Sequence, residues 1–373
     1  MSPSPKVLVG SPLGSDERIE GRRKFYYVLD YLEAQDDSSK NQYSRPQLIR
    51  LTYEYALSEE SRDNYLRAFF NALSLPIDSK ENINVEEYRP KVFDFADYLL
   101  DDFFLPLTAS AGKTARPSPT YHSAIQRVEE DIRTFVGTPD RISALRGDCL
   151  VRDRHRCVVS QRFDQVEAEI RFQKDGEDAR DDGERALIED PRSFDVLEVA
   201  HILPHSLTKP KASSRLDASR EASLAILDML DAGVTGLIEG TDIDKPRNAI
   251  TLTHGLHHFF GNFKIFFEPL PDQPPHTYEI GSFLSTYTLR DPALPVTRTL
   301  HSADTCIIEP PSSRLLAVHC AVAHILKLSG AGDYIERLLR DAEEKGIQAD
   351  GSTEVGRLVQ LGLGGWLDGA VDI

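Results

Sequence analysis

A histidine stands near the end of a short apolar stretch, where it could take part in acid–base chemistry. In EVAHILPHS (198–206), His201 follows two apolar residues, and Pro204 ends the stretch. Apolar and β-branched residues in such a run predict a β-strand. A histidine on a strand is usually a packing or edge residue, but on a rigid element it can also serve as a general base. This stretch alone leaves both interpretations open.

A second group of polar residues follows in RNAITLTHGLHHFF (247–260). Asn248 precedes the apolar run AITL, and His257 lies nine residues after Asn248. An asparagine in this position can hold a loop by bonding to backbone groups. The residues around His257 predict a short helix that turns this histidine back toward the strand. We therefore expect two strands and a helix to bring His201 and His257 together around one metal ion, where an imidazole activates water and the cation holds a phosphate.

The charge of the chain restricts how it could bind nucleic acid. The 373 residues carry a formal net charge of −17. Binding through phosphate neutralisation requires positive charge, at least locally. The segment RISALRGDCLVRDRHR (141–156) is a local exception, with five arginines. The segment QKDGEDARDDGERALIED (173–190) is strongly acidic, which is typical of a solvated loop.

The order of predicted elements is helices, a small mixed module, and helices again, which predicts an α+β fold. We predict a largely disordered N-terminus over 1–43, a helical region over 44–107, and a linker over 108–120 that is rich in Ala, Ser, Thr, Gly and Pro. The central module is predicted over 121–300 with the acidic loop inserted in it. A C-terminal helical region is predicted over 301–373.

Two pairs of strands are predicted inside the central module. The segments RCVVSQRF (156–163) and FDVLEVAHILP (194–204) are predicted to form a hairpin whose second strand holds His201. The segments KIFFEPL (264–270) and HTYEIGSF (276–283) are predicted to form the other pair.

The composition favours an intracellular protein without a membrane span, in the nucleus or the cytoplasm. There is no apolar run of about eighteen residues, and the N-terminus lacks the apolar region of a secretory signal. The four cysteines form no C-x-x-C pair, which argues against a zinc knuckle and a disulfide scaffold.

Three segments together resemble a known family. In chain order, RDRHRCVVSQ (152–161), VLEVAHILPHS (196–206) and RNAITLTHGLHHFFGNFKIFFEP (247–269) resemble the HNH endonuclease module, in the form found in large fungal proteins. His201, Asn248 and His257 correspond to the three residues after which the family is named. The resemblance implies a ββα-metal fold and covers roughly residues 145–280, with helices on either side.

The resemblance also implies a role for each of the three residues. His201 would be the general base that deprotonates the attacking water, and Asn248 would hold the loop that carries the base. His257 would ligate a divalent cation, Mg²⁺ first and Mn²⁺ or Zn²⁺ as alternatives, with His258 as a second choice of ligand.

The hydrolysis of a phosphodiester also requires a positive group on the phosphate. Arg152, Arg154 and Arg156 are the candidates for phosphate binding, because their segment is expected to lie next to the first strand of the hairpin. Nucleic acid is therefore the expected partner, DNA before RNA, and the sequence identifies no protein partner.

Two positions depart from the family pattern. Many members have a metal ligand directly before the general base, where this chain has Ala200, and another four residues after the metal histidine, where it has Gly261. Two functions therefore stay open. One is a divalent-metal-dependent endonuclease, and the other is a catalytically degenerate module that binds nucleic acid or a protein.

Overall fold

The protein consists of helices and small β-sheets, as expected for an α+β fold. The computed structural model describes residues 12–36, 43–78, 83–111, 138–208, 218–300, 308–345, 355–363 and 366. The chain divides into two compact units. The helical unit comprises Met1–Ser110, Ser206–Leu237 and Ala321–Gly369, and the central unit comprises Ala111–His205, Ile238–Cys320 and Ala370–Ile373.

The bounds of the described elements are as follows. The α-helices are α1 (Ser15–Glu33), α2 (Arg45–Glu54), α3 (Glu59–Leu73), α4 (Val85–Leu99), α5 (Leu105–Ala111), α6 (Thr138–Arg152), α7 (Gln165–Asp175), α8 (Ala218–Leu230), α9 (His254–Gly261), α10 (Ser313–Ser329), α11 (Ala331–Lys345) and α12 (Val355–Leu363). The strands are β1 (Leu197–His201), β2 (Ala249–Thr253), β3 (Ile265–Pro269), β4 (Thr277–Ser282) and β5 (Val296–Thr299).

Helix α1 shows that the prediction of disorder over 1–43 is wrong for residues 15–33. Its apolar residues Phe25, Val28, Leu29 and Leu32 are almost fully buried. Their spacing of three and four residues forms one apolar stripe along the helix. The charged residues of the opposite face account for the low hydrophobicity of this segment. The residues of 1–43 before 12 and from 37 to 42 lie outside the described residues.

The structure also changes the bounds of the regions that were predicted around the central module. Helices α2 to α5 cover most of the region 44–107, and α5 extends through Ala111, four residues into the predicted linker. The rest of that linker lies outside the described residues. Residues 206–237, which include α8, were predicted within the central module but belong to the helical unit. The described residues after 312 are mainly helical, as predicted.

In the central unit, β1 pairs with β2 and not with the predicted partner at 156–163. The two strands are antiparallel, and His201 is opposite Ala249 in the register. Residues 156–163 instead form a tight turn with a single bridge between Arg156 and Phe163. The prediction of that hairpin was wrong because Cys157 N–H bonds to the carbonyl of Arg162, which closes the segment on itself.

The rest of the central unit follows the sequence pattern more closely. The predicted pair of strands at 264–270 and 276–283 is present as β3 and β4, and β5 extends this sheet. Helix α9 begins directly after β2, so the chain turns from strand to helix without a loop.

Most residues of the acidic segment 173–190 are exposed, as its charge predicts, but two of its carboxylates pair with a basic residue inside the fold. Arg156 lies 2.6 Å from a carboxylate oxygen of Asp181 and 2.7 Å from one of Asp190. Burial by itself raises the pKa of Asp190, but hydrogen bonds from Arg192 and Arg156 lower it to about 2. The positive charge of the preceding segment is therefore largely used inside the fold.

No single helix among the described residues is long and apolar enough to cross a membrane. Among the described residues, only α10 and the first part of α11 taken together are long and apolar enough, and the chain bends by 84° between them.

Candidate functional site

The two-stranded sheet of β1 and β2 separates the polar residues of the site into two groups. Successive side chains of a strand point to opposite faces of its sheet. Val199 packs against Leu145 and Cys149 of α6, which puts the His201 side chain on that face as well. Glu198 and Ala200 therefore belong to the other face, on which α9 packs.

The first group, which we call the Asp244 group, comprises Asp244, His201, His205 and Arg141. The Asp244 carboxylate lies 3.2 Å from His201 Nε2, 3.5 Å from His205 Nε2 and 3.3 Å from Arg141 Nε. Its side chain is only 1% exposed, while that of His201 is 19% exposed. The buried carboxylate is thus surrounded by nitrogen donors, and an edge of His201 reaches the surface.

The protonation of Asp244 follows from these contacts. Burial by itself raises the pKa of the carboxyl, but hydrogen bonds from His201 and His205 outweigh it and hold the pKa well below its ordinary value. Asp244 is therefore ionised at neutral pH and acts as an acceptor of hydrogen bonds.

Asn248 joins the loop after β1 to the segment before β2. Its Nδ2 donates to the carbonyls of Leu203 (3.0 Å) and Ile243 (2.9 Å), and its Oδ1 accepts from Leu203 N–H (3.0 Å). The residue is fully buried. These are the contacts expected of a residue that holds the loop next to His201, while its part in catalysis stays a prediction.

The second group, which we call the Glu198 group, comprises Glu198, His254 and His257. The two carboxylate oxygens of Glu198 lie 2.8 Å from His254 Nδ1 and 2.8 Å from His257 Nδ1. Burial raises the pKa of Glu198, but hydrogen bonds from His257 and His254 hold it below its ordinary value. The His254 side chain is 73% exposed and that of His257 only 13%. His257 is therefore the histidine that the fold holds in place.

The sequence predicted that His201 and His257 meet around one metal ion, and in the structure each of them contacts a carboxylate. The carboxylate is Asp244 for His201 and Glu198 for His257, and the convergence of the two rings on one ion stays a prediction. Among the described residues, no group of three or more His, Cys, Asp or Glu side chains is arranged to hold a metal ion.

The prediction that Arg152 binds phosphate is wrong. Its side chain is 1% exposed and pairs with Asp153 through two hydrogen bonds of 2.8 Å. It also donates to the carbonyls of Pro246 (2.7 Å) and Ala249 (2.9 Å). These hydrogen bonds fix the segment before β2 to the end of α6, so the guanidinium of Arg152 has a structural role.

The two other predicted arginines differ from each other. Arg156 is mostly buried and bonds to Asp181 and Asp190, which places it in the fold of the acidic segment. Arg154 is partly exposed in a left-handed conformation, with φ of 55°. Of the three, Arg154 remains the candidate for phosphate binding.

Sequence reasoning missed Asp244 and His205. Asp244 is separated from His201 by more than forty residues in the sequence, and nothing in the local pattern connects them. The one available signal is the position of Asp244 four residues before Asn248.

Comparison with known proteins agrees with the resemblance noted in the sequence. Residues 157–268 match the family model of the HNH endonuclease. No curated protein and no solved structure gives a match. The matched segment contains β1, β2, α9 and most of β3, together with both groups of histidines, and it is similar to a nuclease domain.

Proposed function

We propose that the protein is a divalent-metal-dependent endonuclease that hydrolyses phosphodiester bonds of DNA, because residues 157–268 match the family model of the HNH endonuclease. In this proposal β1, β2 and α9 are the ββα unit, His201 is the general base, and His257 is a metal ligand. The observation that carries the proposal is the contact between His201 and the buried carboxylate of Asp244 at the end of β1.

His201 meets the requirements of a general base. It stands on a strand, the loop after it is held by Asn248, and its ring is partly exposed so that water can reach it. A positioned imidazole takes a proton from the attacking water and typically accelerates such a reaction by about 10²–10⁴-fold.

The contact between Glu198 and His257 supports the metal role of His257. A histidine that ligates a metal usually donates its other ring N–H to a carboxylate, which fixes the ring. With Nδ1 of His257 on Glu198, Nε2 is the nitrogen left for a cation. A divalent cation bound there would neutralise charge on the phosphate, and water and phosphate oxygens can complete the coordination of a hard cation such as Mg²⁺.

A positive group near the phosphate completes the proposal. Arg154 is the candidate from the predicted arginines, and Arg141 places a further positive charge next to the carboxylate that holds His201. Since the chain is acidic overall, with a net charge of −17, binding would rest on these local charges and on the cation.

A second function, binding without cleavage, is favoured by Ala200. This residue is fully buried on the face of Glu198, at the position where many family members carry a metal ligand. A module that has lost this ligand can keep the fold and bind nucleic acid without hydrolysing it.

A plasmid-nicking assay separates the two functions. We expect the wild type to nick supercoiled DNA with Mg²⁺ or Mn²⁺, and EDTA to abolish the activity. His201→Ala should lower the rate by about 10²–10⁴-fold. Asp242→Asn is the matched control, because Asp242 lies in the same short helical segment as Asp244 but pairs with Arg247. Absence of nicking by the folded wild type with Mg²⁺, Mn²⁺ and Zn²⁺ would refute the endonuclease.

A further inference from the structure

Two histidines converge on one buried carboxylate in the Asp244 group. His201 Nε2 approaches Oδ1 of Asp244, and His205 Nε2 approaches Oδ2, at 3.2 Å and 3.5 Å. Resting on the proposed function, we propose that Asp244 is a positioning residue, which holds Nε2 of His201 so that Nδ1 is the nitrogen that takes the proton from water.

Burial makes the contact between Asp244 and its partners strong. A carboxylate that is 1% exposed has lost its water and needs hydrogen bonds or opposite charge in its place. Arg141 supplies opposite charge on one side, and the two imidazoles supply hydrogen bonds on the other. Hydrogen bonds to an ionised group are about twice as strong as those between neutral groups. Asp244 therefore holds the His201 ring more firmly than a neutral residue would.

The ionised state of Asp244 determines the tautomer of His201. An ionised carboxylate only accepts hydrogen bonds, so the ring nitrogen that faces it must carry a proton. In a neutral imidazole the other nitrogen is then unprotonated. Nδ1 of His201 is consequently the basic nitrogen, and the same reasoning puts a proton on Nε2 of His205.

The hydrolytic step follows from this arrangement. A proton passes from water to Nδ1 of His201 as the water oxygen forms a bond to phosphorus. The bond from phosphorus to the leaving oxygen then breaks, and that oxygen takes a proton from solvent. His201 becomes an imidazolium that still donates to Asp244 through Nε2, so the carboxylate stabilises the charge that develops on the ring.

The backbone near Asp244 is held independently of its carboxylate. Asn248 bonds to Ile243, directly before Asp244, and to Leu203, two residues after His201. Both sides of the contact are thus fixed by a third, fully buried residue. A substitution that only removes the charge of Asp244 should leave the fold in place.

Asp244→Asn tests the proposal through cleavage kinetics. The variant should lower kcat by about 10–10³-fold with little change in KM, because the ring loses its charged partner. The other charged or titratable groups next to His201, namely His205 and Arg141, are unchanged in the variant. Asp242→Asn should leave both quantities at the wild-type values.

A spectroscopic readout makes the test independent of cleavage. In ¹⁵N-labelled wild type, Nε2–H of His201 should give a low-field, slowly exchanging proton signal, assigned by its loss in His201→Ala. In Asp244→Asn the signal should move upfield and exchange faster, because a neutral amide is a weaker acceptor. Asp244→Glu, which keeps the charge, should retain the low-field signal and serves as the second variant if Asp244→Asn does not fold.

The outcomes distinguish this inference from the proposed function. An unchanged Nε2–H signal and an unchanged kcat in folded Asp244→Asn would overturn the role of Asp244, even if His201→Ala is inactive. A signal that depends on Asp244 in a wild type that cleaves nothing would support the contact and refute the endonuclease.

Discussion

The central unit contains two carboxylates that each hold two imidazoles, but they hold different ring nitrogens. Asp244 contacts Nε2 of His201, whereas Glu198 contacts Nδ1 of His257. The nitrogen that stays available is therefore Nδ1 in the Asp244 group and Nε2 in the Glu198 group. In the proposed function, one kind of contact thus prepares a ring to accept a proton from water in one group and to bind a cation in the other.

The two groups also differ in burial. The side chain of Asp244 is 1% exposed and that of Glu198 11% exposed. The Asp244 carboxylate has a third partner in Arg141, while one of the two histidines on Glu198 is largely in solvent. The Asp244 group is therefore the more rigid one, which suits a base, and the Glu198 group is more open, which suits the entry of a cation.

The sharpest difference between neighbouring histidines is expected in α9. His257→Ala should lower the rate at limiting metal by about 100-fold or more, because the nitrogen proposed to bind the cation is lost. His258→Ala should have little effect, since the His258 ring is exposed and lies near Asn262 and Phe259, neither of which is a carboxylate. The rate measured against metal concentration separates the two variants, and equal effects would contradict the assignment to His257.

Asn248→Ala should be the most destabilising single change near the Asp244 group. It removes three side-chain hydrogen bonds and leaves the carbonyls of Leu203 and Ile243 buried without this partner. At about 1 kcal/mol for each bond, the free energy of unfolding should fall by about 2–4 kcal/mol. Chemical denaturation provides the measurement. Asn262→Ala, at an exposed contact, is the control, and a loss no larger than in this control would show that the loop is held in another way.

Glu198→Gln should weaken the metal dependence less than His257→Ala does. A neutral amide still accepts a hydrogen bond from Nδ1 but no longer stabilises the orientation by charge. Loss of such a supporting residue typically costs about 10–100-fold in metal affinity. The midpoint of metal activation is the quantity to measure, with Glu268→Gln on the exposed side of β3 as the control. A larger effect than that of His257→Ala would reverse the roles of the two residues.

The smallest expected effect is on acid stability. The folded-state pKa of Asp244 is lowered, so this carboxyl contributes stability that is present above its unfolded pKa of about 4 and is lost as the pH falls through the folded value. When the pH falls from about 5 to about 2, the free energy of unfolding of Asp244→Asn should therefore decrease by on the order of 1–2 kcal/mol less than that of the wild type. Glu198→Gln should change the pH dependence of the free energy of unfolding less, because the pKa of Glu198 lies closer to its ordinary value. Denaturation midpoints at several pH values test this ranking of the two variants. Parallel plots of midpoint against pH for the wild type and Asp244→Asn would contradict it.

The elements that depend on local pattern could be predicted from the sequence. The strand of His201, the helix of His257 and the pair β3 and β4 all occur where their residue patterns indicated. The partner of β1 could not be predicted in this way, because pairing joins segments that are far apart in the chain. The local signal at 156–163 was that of a turn with β-branched residues, and a turn is what forms there.

The partners of the charged residues were the feature that could least be predicted from the sequence. Arg152 was expected at a phosphate because its segment was expected to lie next to the strand of the site, yet Asp153 and two carbonyls satisfy it inside the fold. The contact between His201 and Asp244 joins two segments that Asn248 also links to each other. A residue pattern along the chain does not contain that information, and this contact is also what makes the site chemically interpretable.

The central claim is that His201 does chemistry on a nucleic acid that the protein binds. The most direct measurement is cleavage and equilibrium binding of one labelled DNA duplex by the wild type and by His201→Ala, with the binding measured in Ca²⁺ and the cleavage in Mg²⁺ or Mn²⁺. We predict equal affinity for both proteins, with cleavage by the wild type and at least about 100-fold slower cleavage by His201→Ala. Equal affinity without cleavage by either folded protein would contradict the claim and identify a binding module.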